Sequence, residues 1–513
     1  MADTSALSHR MTSLDASFLY LEQPNALLHV ACIYTFGRTL DYESFVRHVE
    51  ARLSLIPRYT QRAVMVPFNL GQPTWEADPD FDIRVHMPHH RLRGHHDATA
   101  LAALCARLFA QPLDRARPLW EMHFIEYQHG CAVLAKTHHA MIDGASGVEL
   151  INILMDTSPQ TKPLPLPPRA SRKTEPPGAV TQVIEAVIDT LRTQVGIGFN
   201  VAKLLARPSL ALQEARATVE AVGALAGTMS APVPPTPFNG PIGTERTLAW
   251  TRLSLNEVKS TKNRLGGTVN DVVLAVIAGG LRRYLQLRGM KPDRVELKTL
   301  VPVNVRGAHE HLKLGNRVSM MVAPLPIGID DPIERLRQVS VAMDVLKSSG
   351  QAGQMERVVA LTDLLPPLLQ RPLARLQASI APVNTVCTNV PGPRETRYML
   401  GEPVQLMVPL VPLAVGIGLG FAIMSYADQL TIGINGDAGR VPDIWRLAEA
   451  LQQSFEELWS ATGLQRISVA AKVEPALKRR QRLGRGASVA SDTAASDTAA
   501  SPKAEGETPT GIG

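Results

Sequence analysis

Two adjacent histidines, His138 and His139, are followed by Asp143 and Gly144 in the pattern His-His-x-x-x-Asp-Gly. The apolar run before them, residues 131–135, is typical of a buried strand. Histidine can accept and return a proton near neutral pH, since its unperturbed pKa lies closest to that range. A strand that ends at an open turn holds such a group rigidly beside a ligand. The pattern therefore predicts a site for acid–base chemistry.

The residues on either side of the histidines suggest how they are positioned. Adjacent strand residues point to opposite faces, so only one histidine can face a given cavity and the other should be held in the core by hydrogen bonds. Asp143 is expected to hold the loop in place by pairing with an arginine rather than to attack a substrate. Ser146 and Glu149 have the spacing of a capping box, which predicts that a helix starts there.

Composition narrows the class of protein. A chain of 513 residues is too long for one ordinary core and indicates two or more domains. The net charge of +6 suits an anionic partner such as CoA or an anionic lipid surface, although an ordinary basic protein has the same balance. The four cysteines form no C-x-x-C pair, and the N-terminus has no apolar signal region. A cytoplasmic protein is expected.

Two other stretches invite a membrane or metal interpretation. Residues 403–427 carry no charge and are long enough to span a bilayer, but prolines and glycines interrupt them. Two buried strands around a turn fit this run better. The pairs His89-His90 and His95-His96 lie in an Arg-rich segment without further ligands at metal spacing, so we interpret them as solvated loop residues and predict no metal site.

Further motifs lie on both sides of the two histidines. They are Pro118-Leu119-Trp120, Asn270-Asp271, the run from Leu300 to Arg306, Leu314-Gly315-Asn316-Arg317, the run from Thr388 to Pro393, and the run from Ser425 to Asp437. Together with His-His-x-x-x-Asp-Gly, these ordered blocks resemble the bacterial wax ester synthase/diacylglycerol acyltransferase family of the CoA-dependent acyltransferase superfamily. The resemblance covers residues 13–464.

The resemblance implies an α/β fold of two chloramphenicol-acetyltransferase-like domains, each with a mixed sheet, and a tunnel between them. We expect an N-terminal domain at residues 1–157, Pro-rich linkers and a helical connector at 158–240, and a C-terminal domain at 241–465. The connector could be an interfacial membrane element or a helical excursion packed on the domains, and its sparse basic residues favour packing. Residues 466–513 have the composition of a disordered tail.

The resemblance also implies transfer of an acyl group from acyl-CoA to diacylglycerol or a long-chain alcohol. His139 would be the general base, and His138 the core histidine. Asp143 would be structural, with Arg306 as its candidate cation, and Gly144 would allow close approach of the substrate. Asn270 is either an oxyanion donor or the cap of the following helix.

The expected partners are acyl-CoA and a lipid alcohol, with peripheral contact at the inner face of the membrane or at lipid droplets, and no nucleic acid. No cofactor is implied, since acyl-CoA is a substrate. The alternatives are an acyltransferase for another lipid alcohol, a condensation-type enzyme, and a non-catalytic protein that binds lipid surfaces. Intact His139 and Asp143 argue against the last of these.

Overall fold

The computed structural model describes residues 10–67, 71–93, 97–128, 130–142, 144–160, 164, 233–304, 318–349, 370 and 383–466. The described residues as far as Thr462 belong to one compact unit. Most of the connector predicted at 158–240, most of the predicted tail, the pair His95-His96, Asp143 and Arg306 lie outside the described residues.

Both halves of the described chain contain helices and strands. The helices are α1 (Ser13–Leu21), α2 (Tyr42–Glu50), α3 (Ile83–His86), α4 (Ala98–Phe109), α5 (Gly144–Leu154), α6 (Leu255–Leu265), α7 (Val269–Leu287), α8 (Pro332–Ser348) and α9 (Ile444–Ala461). The strands are β1 (His29–Phe36), β2 (Gln61–Val64), β3 (Thr74–Ala77), β4 (His89–Arg91), β5 (Trp120–Tyr127), β6 (Gly130–His138), β7 (Arg246–Ser254), β8 (Leu297–Asn304), β9 (Val318–Leu325), β10 (Thr385–Pro391), β11 (Tyr398–Met399), β12 (Glu402–Leu410), β13 (Leu419–Tyr426) and β14 (Gln429–Asp437).

Two six-stranded sheets organise the molecule, with the orders β11-β12-β1-β6-β5-β4 and β7-β14-β13-β10-β8-β9. Both are mixed. In the first sheet β4 pairs with β5 in parallel while the β1–β6 and β5–β6 pairs are antiparallel. In the second sheet β10 is parallel to both β8 and β13, and β13 is antiparallel to β14. The predicted α/β class with two mixed sheets is confirmed.

The uncharged run at residues 403–427 forms two buried strands, as predicted, but each strand belongs to a different sheet. β12 pairs with β1 in the first sheet, whereas β13 pairs with β10 and β14 in the second. The second half of the chain therefore completes the sheet that carries the two histidines. Since one continuous segment enters both sheets, it ties them together at its turn.

The apolar residues of α7 lie in the core of the second half, where the helix packs against α8 and α9. Gly280 allows the close approach to α9, because a Cβ there would overlap the Leu451 side chain. Among the described helices, none is by itself both long and apolar enough to cross a bilayer, although α6 and α7, bent by 98° at their junction, pass that test as a pair.

Two local predictions were wrong. The sequence of residues 75–86 favours a strand, but the segment is a strand only as far as Ala77 and ends in the short helix α3, for which Asp82 provides the N-cap. His89 and His90 belong to β4 rather than to a solvated loop. His89 stacks on Tyr42, with ring centroids 4.7 Å apart, so packing offsets the polarity of this segment.

Candidate active site

A cavity of about 650 Å³ lies between the two sheets. Its wall is mostly apolar and comes from both halves of the chain, with Val30, Cys32, Tyr34 and Phe36 of β1, Val133 and Ala135 of β6, and Leu300, Met320, Val386 and Met424 of the second sheet among its residues. The uncharged segment contributes residues 409–414. Such a space suits a long hydrocarbon chain.

His139 lies on the wall of this cavity, one residue beyond the end of β6. Its backbone N–H donates to the Leu28 carbonyl at 2.8 Å, which extends the pairing with the β1 side. Its ring stacks on Phe18 of α1, with centroids 4.1 Å apart and planes at 13°. The imidazole is therefore held both through its backbone and against one face of its ring, as a proton-transfer group requires.

His138 points to the opposite side of the strand and is 1% exposed. Its Nδ1 accepts a hydrogen bond from the Ala140 N–H at 3.0 Å. A neutral imidazole that accepts at Nδ1 carries its proton on Nε2, and that atom lies 3.4 Å from Glu22 Oε1. Burial lowers the pKa of His138, which keeps the ring neutral. This is the arrangement of a structural histidine.

Glu22 is the centre of a buried polar cluster that the sequence analysis missed. Its Oε1 lies 3.3 Å from His29 Nε2 and accepts from the Leu28 N–H at 3.3 Å, and its Oε2 pairs with Arg115. Burial would raise the pKa of Glu22, but the contacts with His138, His29 and Arg115 outweigh it and hold the pKa well below its usual range. No local motif marks Glu22, because its partners lie on distant parts of the chain.

The same carboxylate supports the backbone that holds His139. Glu22 accepts from the N–H of Leu28, and the carbonyl of Leu28 accepts from the N–H of His139. Glu22 therefore contacts the imidazole of His138 and, through Leu28, supports the backbone of His139.

Asn270 is not the cap of the following helix, and its role as an oxyanion donor stays a prediction. The cap of α7 is Thr268, which forms a capping box with Asp271. Asn270 Oδ1 accepts from Asn389 Nδ2 at 3.2 Å, and among the described residues it is Asn389, not Asn270, that lines the cavity. An amide nitrogen has two donors, so Asn389 retains one N–H beyond this bond.

The loop after the histidines differs from the prediction in one respect. Helix α5 already begins at Gly144, so Ser146 lies inside the helix and the predicted capping box is wrong. Residues 147–151 of α5 line the cavity. The pairing of Asp143 with Arg306 involves two residues outside the described part of the chain, and it stays a prediction.

The described residues contain no group of three or more histidine, cysteine or acidic side chains placed to hold a metal ion. Instead, His90 Nε2 lies 3.0 Å from His123 Nδ1, and His123 Nε2 lies 2.9 Å from Glu121. These side chains form a polar network on the face of the sheet away from the cavity.

The fold that surrounds this cavity belongs to a known class of structure. The chain resembles the first condensation domain of the calcium-dependent antibiotic synthetase, with a TM-score of 0.57, 16% identity, and coverage of 90% of this chain and 97% of that one. It also resembles a wax ester synthase/diacylglycerol acyltransferase from Marinobacter aquaeolei VT8, with a TM-score of 0.64, 23% identity, and coverage of 89% and 100%. The class is the condensation and acyltransferase fold.

Sequence comparison narrows the class to one family. The model of the wax ester synthase/diacylglycerol acyltransferase catalytic domain matches residues 11–273, and that of the WS/DGAT C-terminal domain matches residues 314–459. Two relatives from Mycobacterium tuberculosis, both named as diacylglycerol O-acyltransferases, are 32% and 31% identical over 88% of this chain, and the matches cover 90% and 96% of those proteins. The chain belongs to the wax ester synthase/diacylglycerol acyltransferase family, which confirms the resemblance found in its motifs.

Proposed function

We propose that this protein is an O-acyltransferase that moves a long-chain acyl group from acyl-CoA to the hydroxyl of diacylglycerol, and also to long-chain alcohols. The names of its relatives and its family support the reaction. The observation that carries the assignment to a site is the position of His139 on the wall of a mostly apolar cavity of about 650 Å³. That cavity is suited to a long hydrocarbon chain, and His139 places a base on its wall.

In the proposed mechanism His139 takes the proton of the acceptor hydroxyl as its oxygen attacks the thioester carbonyl. A C–O bond forms, and the carbonyl oxygen carries the negative charge of the tetrahedral intermediate. Collapse of the intermediate breaks the C–S bond, and the protonated imidazole returns the proton to the CoA thiolate. No covalent acyl-enzyme is required, since the acceptor attacks directly.

The other predicted residues have supporting roles in this proposal. His138 anchors the strand end through its contacts with Ala140 and Glu22. Asp143, paired with Arg306, would fix the loop, and Gly144 would let substrate approach the start of α5. Asn270 would act indirectly by orienting Asn389, whose remaining N–H is available to the oxyanion.

The remaining expectations belong to the same proposal. The reaction uses no cofactor, and its partners are acyl-CoA and a lipid alcohol. Because diacylglycerol resides in bilayers and lipid droplets, the enzyme would collect it by peripheral contact, from a cytoplasmic position at the inner face of the membrane. The division into residues 1–157, 158–240, 241–465 and 466–513 also stays a prediction.

The test is release of free thiol from palmitoyl-CoA by the purified full chain with dioleoylglycerol, hexadecanol or no acceptor. We expect acceptor-dependent release that falls by about 10²- to 10⁴-fold in His139→Ala. His89→Gln is the matched control, since that histidine lies on β4 and stacks on Tyr42 instead of lining the cavity. Full activity in His139→Ala would refute the mechanism, and release without acceptor would indicate a hydrolase.

A further inference from the structure

Two hydroxyl groups form a polar pair in the otherwise apolar cavity. Tyr59 Oη and Thr137 Oγ1 lie 3.2 Å apart, and both residues line the cavity. Tyr59 is 2% exposed and Thr137 is 5% exposed. The proposed proton transfer uses neither group, so their burial needs another explanation.

A count of hydrogen atoms shows that this pair is incomplete. Each hydroxyl has one proton, and one of the two protons is used in the bond between the oxygens. The second proton has no acceptor among the described residues, since this bond is the one protein contact that either hydroxyl makes there. A buried donor without a partner costs free energy, and a ligand that supplies an acceptor oxygen recovers it.

The pair is fixed in place before any ligand binds. The Tyr59 ring stacks on Trp120, with centroids 4.6 Å apart and planes at 18°. The Trp120 indole N–H donates to the Tyr59 carbonyl at 2.8 Å, and Thr137 lies within β6. The spare proton is therefore presented from a rigid platform, which lowers the entropic cost of binding.

The location of the pair relative to His139 limits which oxygen of a ligand can accept the hydrogen bond. Thr137 precedes His139 by two residues on the same face of the chain, which corresponds to about 7 Å in extended geometry. The required oxygen is thus a few bonds away from the reacting hydroxyl. In diacylglycerol the carbon next to the one bearing the free hydroxyl carries an ester, whose carbonyl is at this kind of distance. A plain long-chain alcohol has only methylene groups there.

We propose that the Tyr59–Thr137 pair binds the ester carbonyl next to the reacting hydroxyl of a glycerolipid acceptor and so selects glycerides over plain alcohols. This inference rests on the proposed function, because it assigns a subsite to the acceptor of that reaction. The pair contributes a hydrogen bond to binding and takes no part in the transfer of the proton.

The experiment compares dioleoylglycerol with its diether analogue, which has the same chains but no carbonyl groups, and with hexadecanol. The proteins are the wild type, Tyr59→Phe, Thr137→Val and the double variant. For the wild type we expect kcat/KM to favour the ester over the ether by about three- to tenfold, mainly through KM, as one neutral hydrogen bond allows. Each single variant keeps most of this preference, because the remaining hydroxyl no longer donates to its neighbour and can donate to the lipid.

The double variant has no donor, so its ratio of kcat/KM for the ester over the ether should fall to about one, whereas its ratio for the ether over hexadecanol should stay that of the wild type. An undiminished ester preference in the double variant would overturn the proposal. An equal fall in kcat with all three acceptors would overturn it too, since that result assigns the pair to the oxyanion. Both substitutions keep the shape of the side chain, and thermal melts would verify folding.

Equilibrium binding of the ester and ether lipids to the His139→Ala background separates this inference from the proposed function. If the wild type transfers acyl groups to no acceptor, the proposed function fails. The ester-to-ether ratio of binding affinities still decides whether the pair recognises a carbonyl. The preference for the ester should be lost when Tyr59→Phe and Thr137→Val are added to His139→Ala. A ratio near one would refute the subsite even in an active acyltransferase.

Discussion

The two faces of β6 are both buried, but they satisfy their polar groups in different ways. On the face away from the cavity, Lys136 is fully buried, lies 2.7 Å from Glu121 Oε2, and donates to the carbonyls of Leu108 and Gln111. All three of its donors have protein partners. On the cavity face, the Tyr59–Thr137 pair retains one proton that the described protein does not use. Lys136 and the Tyr59–Thr137 pair are both buried, and they differ in whether the described protein provides a partner for every donor.

His138 and His139 illustrate the same contrast in adjacent residues. His138 is neutral, buried and placed between the Ala140 N–H and Glu22. His139 lies on the cavity wall, with its ring against Phe18. If the faces differ as proposed, disrupting the supporting face should affect stability first, whereas disrupting the cavity face should affect turnover with little loss of stability.

The largest expected effect on the supporting face comes from Glu22→Ala. This change leaves His138, His29 and Arg115 without their shared carboxylate, and we expect unfolding to become easier by roughly 3 to 5 kcal/mol. Because Leu28 connects Glu22 to His139, kcat should also fall. Urea unfolding and thiol release measure the two effects.

Glu22→Gln is the matched variant, since it keeps an oxygen for the Leu28 N–H but loses the charge. It should recover part of the stability and most of kcat. If Glu22→Ala unfolds at the same urea concentration as the wild type, the cluster is not a support for the strand end.

A second test uses the pH dependence of stability. Burial lowers the pKa of His29 to about 4, although contact with Glu22 opposes this shift. Between pH 6.5 and pH 4 the unfolded chain therefore binds a proton that the folded chain excludes, so stability falls as the pH falls through this window. His29 alone should contribute about 3 kcal/mol of that loss.

His29→Gln removes this titration, so the difference in unfolding free energy between pH 7 and pH 4.5 should be smaller than in the wild type. Chemical denaturation at the two pH values measures it. An identical pH dependence in both proteins would show that His29 is not held neutral by its burial.

What could be predicted from the sequence depended on how local the information was. The sequence patterns at residues 98–109 and 255–265 each predict a helix, and the structure has α4 and α6 there, because hydrophobic spacing and caps act within one element. The alternation of side chains along a strand predicted that only one of His138 and His139 faces the cavity, whereas the choice of His139 as the base came from the family resemblance. Glu22 and Tyr59 could not be found in this way, since each meets its partner only through the tertiary fold.

Some motifs indicated a region without showing its tertiary contacts. Asn270 was chosen from the Asn-Asp motif, but the motif did not show that Asn389, on the cavity wall, would lie beside it. Likewise, the uncharged segment was predicted to form two strands, but nothing local indicated that β12 and β13 would enter different sheets. Pairing between distant strands depends on the whole set of packing contacts, and periodicity within one segment does not encode it.

The smallest expected effect, on the cavity face, concerns Phe18. Its ring stacks on His139, and such contacts contribute about 0.5–1.5 kcal/mol beyond the area that they bury. In Phe18→Leu the imidazole loses this support, so we expect kcat to fall by about three- to tenfold while stability changes by no more than about 1 kcal/mol. Phe18→Tyr keeps the ring and should retain the wild-type rate. A fall in stability comparable to that of Glu22→Ala, with kcat unchanged, would instead place Phe18 among the supporting residues and remove the distinction between the two faces.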